Sequence, residues 1–211
     1  CDPYPTSTAA LYGMARAVYH TGFSVKLTAD LAAKSEVCVM PQGFIYHGVK
    51  PSREDIREWT AQSLKNGARH FLWYTGDLAV RNAPDVYSEM LDMNRRIAAM
   101  KKMDLPKKSH IGILFSEYDK WALEDTTGHA AYTIYAILGE HLGAWFRFVS
   151  QSSILQNASA LDEFRLLIVP RLRFCDRETL NALQKFLDKG GTVVMLDPGF
   201  LRHHIDGSSF P

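Results

Sequence analysis

The chain has 211 residues, of which 46% are apolar and 22% charged, with a formal net charge of +1. That is enough for one large domain or two small ones with a real core. Interspersed charge excludes a nucleic-acid-binding stripe and a charged disordered tail, and no apolar run approaches the roughly 20 residues of a membrane helix.

The first segment, "TSTAALYGMARAVYHTG", carries Leu11, Met14, Ala15, Val18 and Tyr19 at helical spacing. Thr6, Ser7 or Thr8 supplies a cap, and Gly22 is the expected stop. "EVCVMPQGF" is β-branched and apolar up to Met40 and halts at Pro41, which predicts a buried strand. Ser52 and Asp55 form an S-x-x-D helix start. Ile56, Trp59, Ser63 and Leu64 line one face of that helix, and Asn66-Gly67 ends it. "ARHFLWY" is the next strand. Pro84 opens a further helix with Val86, Met90, Met93, Asn94 and Ile97 on one face. Short connections and strands apolar on both faces predict a parallel sheet covered by helices.

"KKMDLPKKS" is a charged, proline-containing break. It divides the chain into residues 1–103, a linker at 104–109 and residues 110–211. "HIGILFS" begins a new strand. A helix over about 127–142 follows, with Ala131, Ile134, Tyr135, Leu138 and Leu142 inward and Gly143 closing it. "WFRFVS" and "FRLLIVP" are strands. Asp176 caps "RETLNALQKFLDKGG", in which Leu180, Leu183, Phe186 and Leu187 face inward, and "TVVMLDP" is the last strand. This β-α-β-β-α-β order predicts a small doubly wound domain.

There are three cysteines, Cys1, Cys38 and Cys175, with no C-x-x-C. That argues against a disulfide framework and a structural zinc site. Cys38 is expected to pack as a small hydrophobe. The eight histidines show no metal spacing, so neither metal nor cofactor is expected. Cys175 lies between a strand and a helix, ahead of His203 and His204. It lacks the glycines of a nucleophile elbow, and an inert thiol is expected. "SEYDKWALEDTTGH" is acidic with one glycine, a poor phosphate loop. A chain opening at Cys1 is read as an excised piece of a larger protein.

Three motifs of the first half resemble the closing part of a glycoside hydrolase (β/α)8 barrel. "CDPYP" is similar to a D-x-Y-P strand end. "VMPQGF" is similar to the Q-x-F that follows it. "SREDIREWTAQSLKNGARHFLWY" resembles the last helix–strand unit. The second half, from "HIGILFS" to "GGTVVMLDP", resembles the middle domain of family 42 β-galactosidases. That domain is glutamine-amidotransferase-like in fold, and the resemblance implies a role in trimerisation. The expected architecture is therefore α/β, with closing barrel units followed by an amidotransferase/flavodoxin-like domain.

A complete barrel needs eight strands and about 250 residues. Residues 1–103 hold only its closing part. Standing alone, such a piece leaves a parallel edge unpaired. Barrel ligands meet the C-terminal ends of strands. By that rule the candidate residues are Asp2 and Tyr4, Gln42 and Phe44, and Trp73, Tyr74 and Asp77. Glycoside hydrolysis uses two carboxyl groups, about 5–5.5 Å apart for retention and about 6.5–9.5 Å for inversion. Asp2 and Asp77 are the candidate catalytic pair. Tyr4, Gln42, Phe44 and Trp73 are the candidate sugar contacts.

The family resemblance implies a nucleophilic Glu at the seventh strand end. Here Pro41 and Gln42 stand in its place, and an amide cannot serve. A non-catalytic carbohydrate-binding or assembly module is the alternative reading. The expected partners are a carbohydrate and either further copies or the rest of a larger chain, with no nucleic acid. Cytoplasmic and secreted or periplasmic locations both stay open.

Overall fold

A computed structural model describes residues 1, 3, 18–32, 35–45, 49–74, 83–101, 103–123 and 126–209. The chain divides into two units, Cys1–Leu105 and Pro106–Pro211.

The first unit runs α1 (His20–Leu31), β1 (Val37–Val39), α2 (Arg53–Lys65), β2 (Ala68–Phe71) and α3 (Pro84–Ala99). Ser52 starts α2 through a reciprocal capping box. Its hydroxyl accepts from the Asp55 N–H, and the Asp55 carboxylate accepts from the Ser52 N–H. Gly67 takes φ +106° after α2, a conformation that a β-carbon would strain. Pro84 occupies the first turn of α3, where its missing N–H costs nothing.

β1 and β2 pair in parallel through the α2 crossover, with an irregularity between Val37 and Cys38. Val37, Val39, Ala68 and Phe71 pack with Val25 and Ala29 of α1. Ile56 and Trp59 of α2 pack with Val86, Met90 and Met93 of α3. The helices thus clothe one face of the pair. Cys38 faces the other way and is exposed, against the expectation that it would pack. Strand alternation decides this, because its neighbours Val37 and Val39 both turn to the helices.

Gly22 does not stop a helix; it lies inside the first turn of α1. Its N–H has no intrahelical partner there and donates to Gln62 Oε1 of α2 at 3.0 Å. The amide of Gln62 in turn donates to the Val18 carbonyl at 2.9 Å. The expected helix residues Leu11, Met14 and Ala15, and the caps Thr6 to Thr8, lie outside the described residues.

The second unit runs β3 (Ile111–Phe115), α4 (Glu117–Ala122), α5 (Thr126–Tyr135), β4 (Arg147–Ser150), α6 (Gln151–Gln156), β5 (Leu166–Val169), β6 (Phe174–Cys175), α7 (Arg177–Asp188), β7 (Thr192–Met195) and β8 (His203–His204). A π-helical turn, Ala136–His141, continues α5, and Gly143 ends it at φ +64°. β4, β3, β5 and β7 form an all-parallel sheet in that order. This is the doubly wound pattern with its switch point between β3 and β5. Gly112 faces Leu167 and Phe164, where an added β-carbon would come within 3.0 Å of both.

One sheet face packs Leu114, Val149, Leu167 and Val169 against Leu161, Leu183 and Phe186. Near α5, Tyr135, Phe146 and Phe148 stack edge to face at 5.9 and 5.6 Å. The sequence pattern did not reveal α4 and α6, which are under two turns long, or β6 and β8, which are two residues each, because the helical or strand period cannot repeat over such lengths.

Candidate functional site

Beyond Val39 the first strand continues to Gln42, which bridges Tyr74 in parallel. The Leu72 N–H donates to the Val39 carbonyl at 3.0 Å. The two chains therefore stay side by side to their C-terminal ends. Gln42 is fully buried there, and its amide donates to the Phe44 carbonyl at 3.1 Å. Phe44 is also buried, and its ring meets Tyr74 edge-on at 5.2 Å.

Trp73 packs against the cluster of Ile56, Trp59 and Met90 on α2 and α3. Its indole N–H donates to Asn94 Oδ1 of α3 at 2.8 Å. Tyr74 and Leu72 are 54% and 58% exposed. Alternation pairs Phe71 with Trp73 and Leu72 with Tyr74. It cannot say which pair faces the helices. Trp73 does, so the orientation that would make it floor a sugar site is reversed. Tyr74 holds the open position. Asp2, Tyr4 and Asp77 lie outside the described residues.

The second unit gathers polar groups at the C-terminal ends of its strands, where doubly wound sheets bind ligands. Ser116 caps α4, accepting from the Asp119 N–H, and donates to Gln151 Oε1 at 2.6 Å. The Gln151 amide donates to the Phe174 carbonyl at 3.2 Å, and its backbone N–H to Glu117 Oε2 at 3.0 Å. The fully buried Asp119 carboxylate accepts the N–H groups of Arg173 and Phe174 at 2.8 and 2.7 Å. Burial pushes its carboxyl above the usual carboxylate range, while those two N–H groups and Ser116 pull it down.

Arg173 binds Asp197 through two hydrogen bonds of 2.6 and 3.1 Å, and Arg171 Nε lies 3.4 Å from the same carboxylate. The Arg173 hydrogen bond holds Asp197 below the usual range. Each of these groups is bonded to another, so the cluster braces the rim and presents no nucleophile. Sequence reading missed it, although Ser116-x-x-Asp119 repeats the S-x-x-D spacing seen at Ser52.

Cys175 is fully buried, and its S–H donates to the Asp176 carbonyl at 3.2 Å. Burial, reinforced by Asp176 and Asp119, pushes the thiol up to about 12. His203 stacks on Phe174 at 5.1 Å, and the β6–β8 register sets His204 opposite Cys175. A thiol held this far from ionisation is inert. Iodoacetamide at neutral pH should therefore modify the exposed Cys1 and Cys38 and spare Cys175 until the chain is unfolded. Mass spectrometry of the peptides reads this out, and rapid labelling of native Cys175 would refute it. Among the described residues no group of three or more His, Cys, Asp or Glu could hold a metal ion.

Residues 109–196 match the family described as the β-galactosidase trimerisation domain. The second unit is thus similar to that family over most of its length. The chain is also 27% identical over 113 residues to the β-galactosidase GalA of Bacillus licheniformis, and 26% identical over 113 residues to GanA of Bacillus subtilis. Each match takes in 52% of this chain and 17% of the relative, so the chain spans well under a fifth of the curated relatives it matches. A family 42 β-galactosidase structure from G. stearothermophilus superposes with a TM-score of 0.69 at 16% identity, over 92% of this chain and 31% of that one. The β-galactosidase of Rahnella sp. R3 gives 0.70 at 14% identity, over 92% and 32%. The α/β fold of this chain is thus the one found within family 42 β-galactosidases.

Proposed function

We propose that this chain is part of a β-galactosidase-like glycoside hydrolase. Its first unit is the closing part of a (β/α)8 barrel that contacts carbohydrate, and its second unit mediates self-association. One observation carries the reading of the first unit. Among the described residues, helices clothe one face of the parallel β1–β2 pair, and Cys38, His70, Leu72 and Tyr74 are exposed on the other. That is the construction of a barrel wall, in which the face away from the helices lines the interior.

In this reading Tyr74 is the ring that meets a sugar, set edge to face against Phe44, whose carbonyl accepts from the buried Gln42 amide. Asp2 and Asp77 remain the proposed carboxyl pair. The second reading, a non-catalytic binding or assembly module, is favoured by the strand end at Met40-Pro41-Gln42. No carboxylate stands there, and the Gln42 amide is spent on a backbone carbonyl.

Two measurements on the 211-residue chain separate these readings. Titration with galactose and lactose, followed by NMR, should show binding that Tyr74→Ala abolishes. Hydrolysis of a chromogenic galactoside that Asp77→Asn removes would establish the catalytic reading. Binding without hydrolysis would establish the module. A chain that neither binds nor cleaves any galactoside sinks the carbohydrate reading altogether.

A further inference from the structure

The parallel sheet of the second unit is fully clothed on one face and partly bare on the other. Val193 and Met195 of β7 pack into the cluster built on Leu167, Leu183 and Phe186. Alternation turns Thr192, Val194 and Leu196 to the opposite face, the one that α5 covers. Along that face burial falls off from strand to strand. Ile113 of β3 is fully buried, Ile168 of β5 is half-buried, and Val194 and Leu196 are 39% and 48% exposed. Parallel sheets ordinarily bury both faces.

Beside this bare strand, Ala130, Thr133 and Ile134 of α5 with Pro170, Leu196 and Pro198 line a cleft of about 470 Å³. His129, Arg171 and Asp197 also line it, and the Asp197 charge is met by Arg173 and Arg171. The cleft therefore suits an occupant that is largely apolar with a polar margin.

The strand edge is equally open. Thr192 and Leu196 donate their N–H groups to the carbonyls of Arg165, just ahead of β5, and Val169 at its end. In a parallel ladder Val193 and Met195 must then turn theirs outward. Among the described residues no strand pairs with that edge. Monomers commonly blunt such edges with Lys, other charges or Pro. Thr192-Val193-Val194-Met195-Leu196 contains none of these.

We infer that the bare β7 face and its cleft are the surface on which a second copy of this chain docks. The inference rests on the proposed self-association of the second unit and adds the surface that carries it. The occupant is set by the match to a trimerisation family, whose residues 109–196 end on β7 and Leu196. A closed ring of three copies joins one face of each copy to a different face of the next. A concave, largely apolar cleft is one half of such a contact.

The test is sedimentation velocity on the 211-residue chain at tens of micromolar. The variants are Thr133→Arg and Leu196→Glu, both at exposed positions of the cleft, and the control is Leu187→Glu. Leu187 is exposed on α7, which packs on the other face of the sheet. Circular dichroism checks that each variant is folded, and Thr133→Arg keeps the test open should Leu196→Glu unfold. The parent and the control should self-associate, and the two cleft variants should do so about tenfold or more weakly. Cleft variants that associate like the parent overturn this surface and leave self-association standing. A monomeric parent overturns both, and makes a further chain segment or an unlike partner the cover of β7.

Discussion

Replacing Asp119 by alanine should destabilise the second unit by about 3 kcal/mol. The carboxylate is fully buried and accepts the N–H groups of Arg173 and Phe174. Alanine leaves both donors without a partner in a site closed to water. Each orphaned buried donor costs about 1–3 kcal/mol, and relief of a buried charge offsets part of the sum. The consequence should spread beyond the residue itself. Arg173 and Phe174 begin the segment that carries β6, and the Arg173 guanidinium holds Asp197 at the end of β7. Loss of the brace should therefore loosen the rim between β5 and β7. Asp119→Asn should cost less, because its amide oxygen still accepts one N–H. Urea unfolding followed by circular dichroism measures both variants. An alanine variant within about 0.5 kcal/mol of the parent would show that the rim is held by other means.

The features legible in the sequence are those fixed by neighbours in the chain. Ser52 and Asp55 lie three residues apart, and their capping box forms whatever the rest of the fold does. Asp176 likewise caps α7 through Thr179, and Gly67, Gly143 and Gly190 all take the positive φ expected of helix ends. What escaped was set by distant partners. Gly22 continues a helix because Gln62, 40 residues away, accepts its N–H. Trp73 faces α3 because Asn94 and Met90 are there to receive it. The strand period identified Trp73 and Tyr74 as opposite in direction, but only the side on which the helices pack could assign each direction. The Asp119–Arg173–Asp197 brace joins three separate strand ends, and no local pattern encodes it.

Glu89 should dominate the acid stability of the first unit. It sits on α3 almost fully buried, between Arg53 and Arg57 of α2. Arg57 donates two hydrogen bonds of 2.7 and 2.9 Å, and Arg53 donates one of 2.8 Å. Chiefly through the Arg57 bonds, the Glu89 carboxyl is held down to about 2 from an ordinary 4.5. The folded value is the depressed one, so the folded state favours the ionised form. The stabilisation is therefore complete above the unfolded value near 4.5, and it is lost as pH falls from there through about 2. Glu89→Gln keeps the shape and removes the charge. Above pH ~5 it should cost about 1.5–3 kcal/mol, toward the lower figure because both guanidinium groups reach solvent. Near pH ~2 most of the gap between the variant and the parent should be gone, and below it the two should unfold alike. Thermal or urea unfolding at a series of pH values measures the gap. A gap that stays constant across that window would mean that the arginines hold Glu89 by shape rather than by charge. The ion pair would then not be what locks α2 to α3.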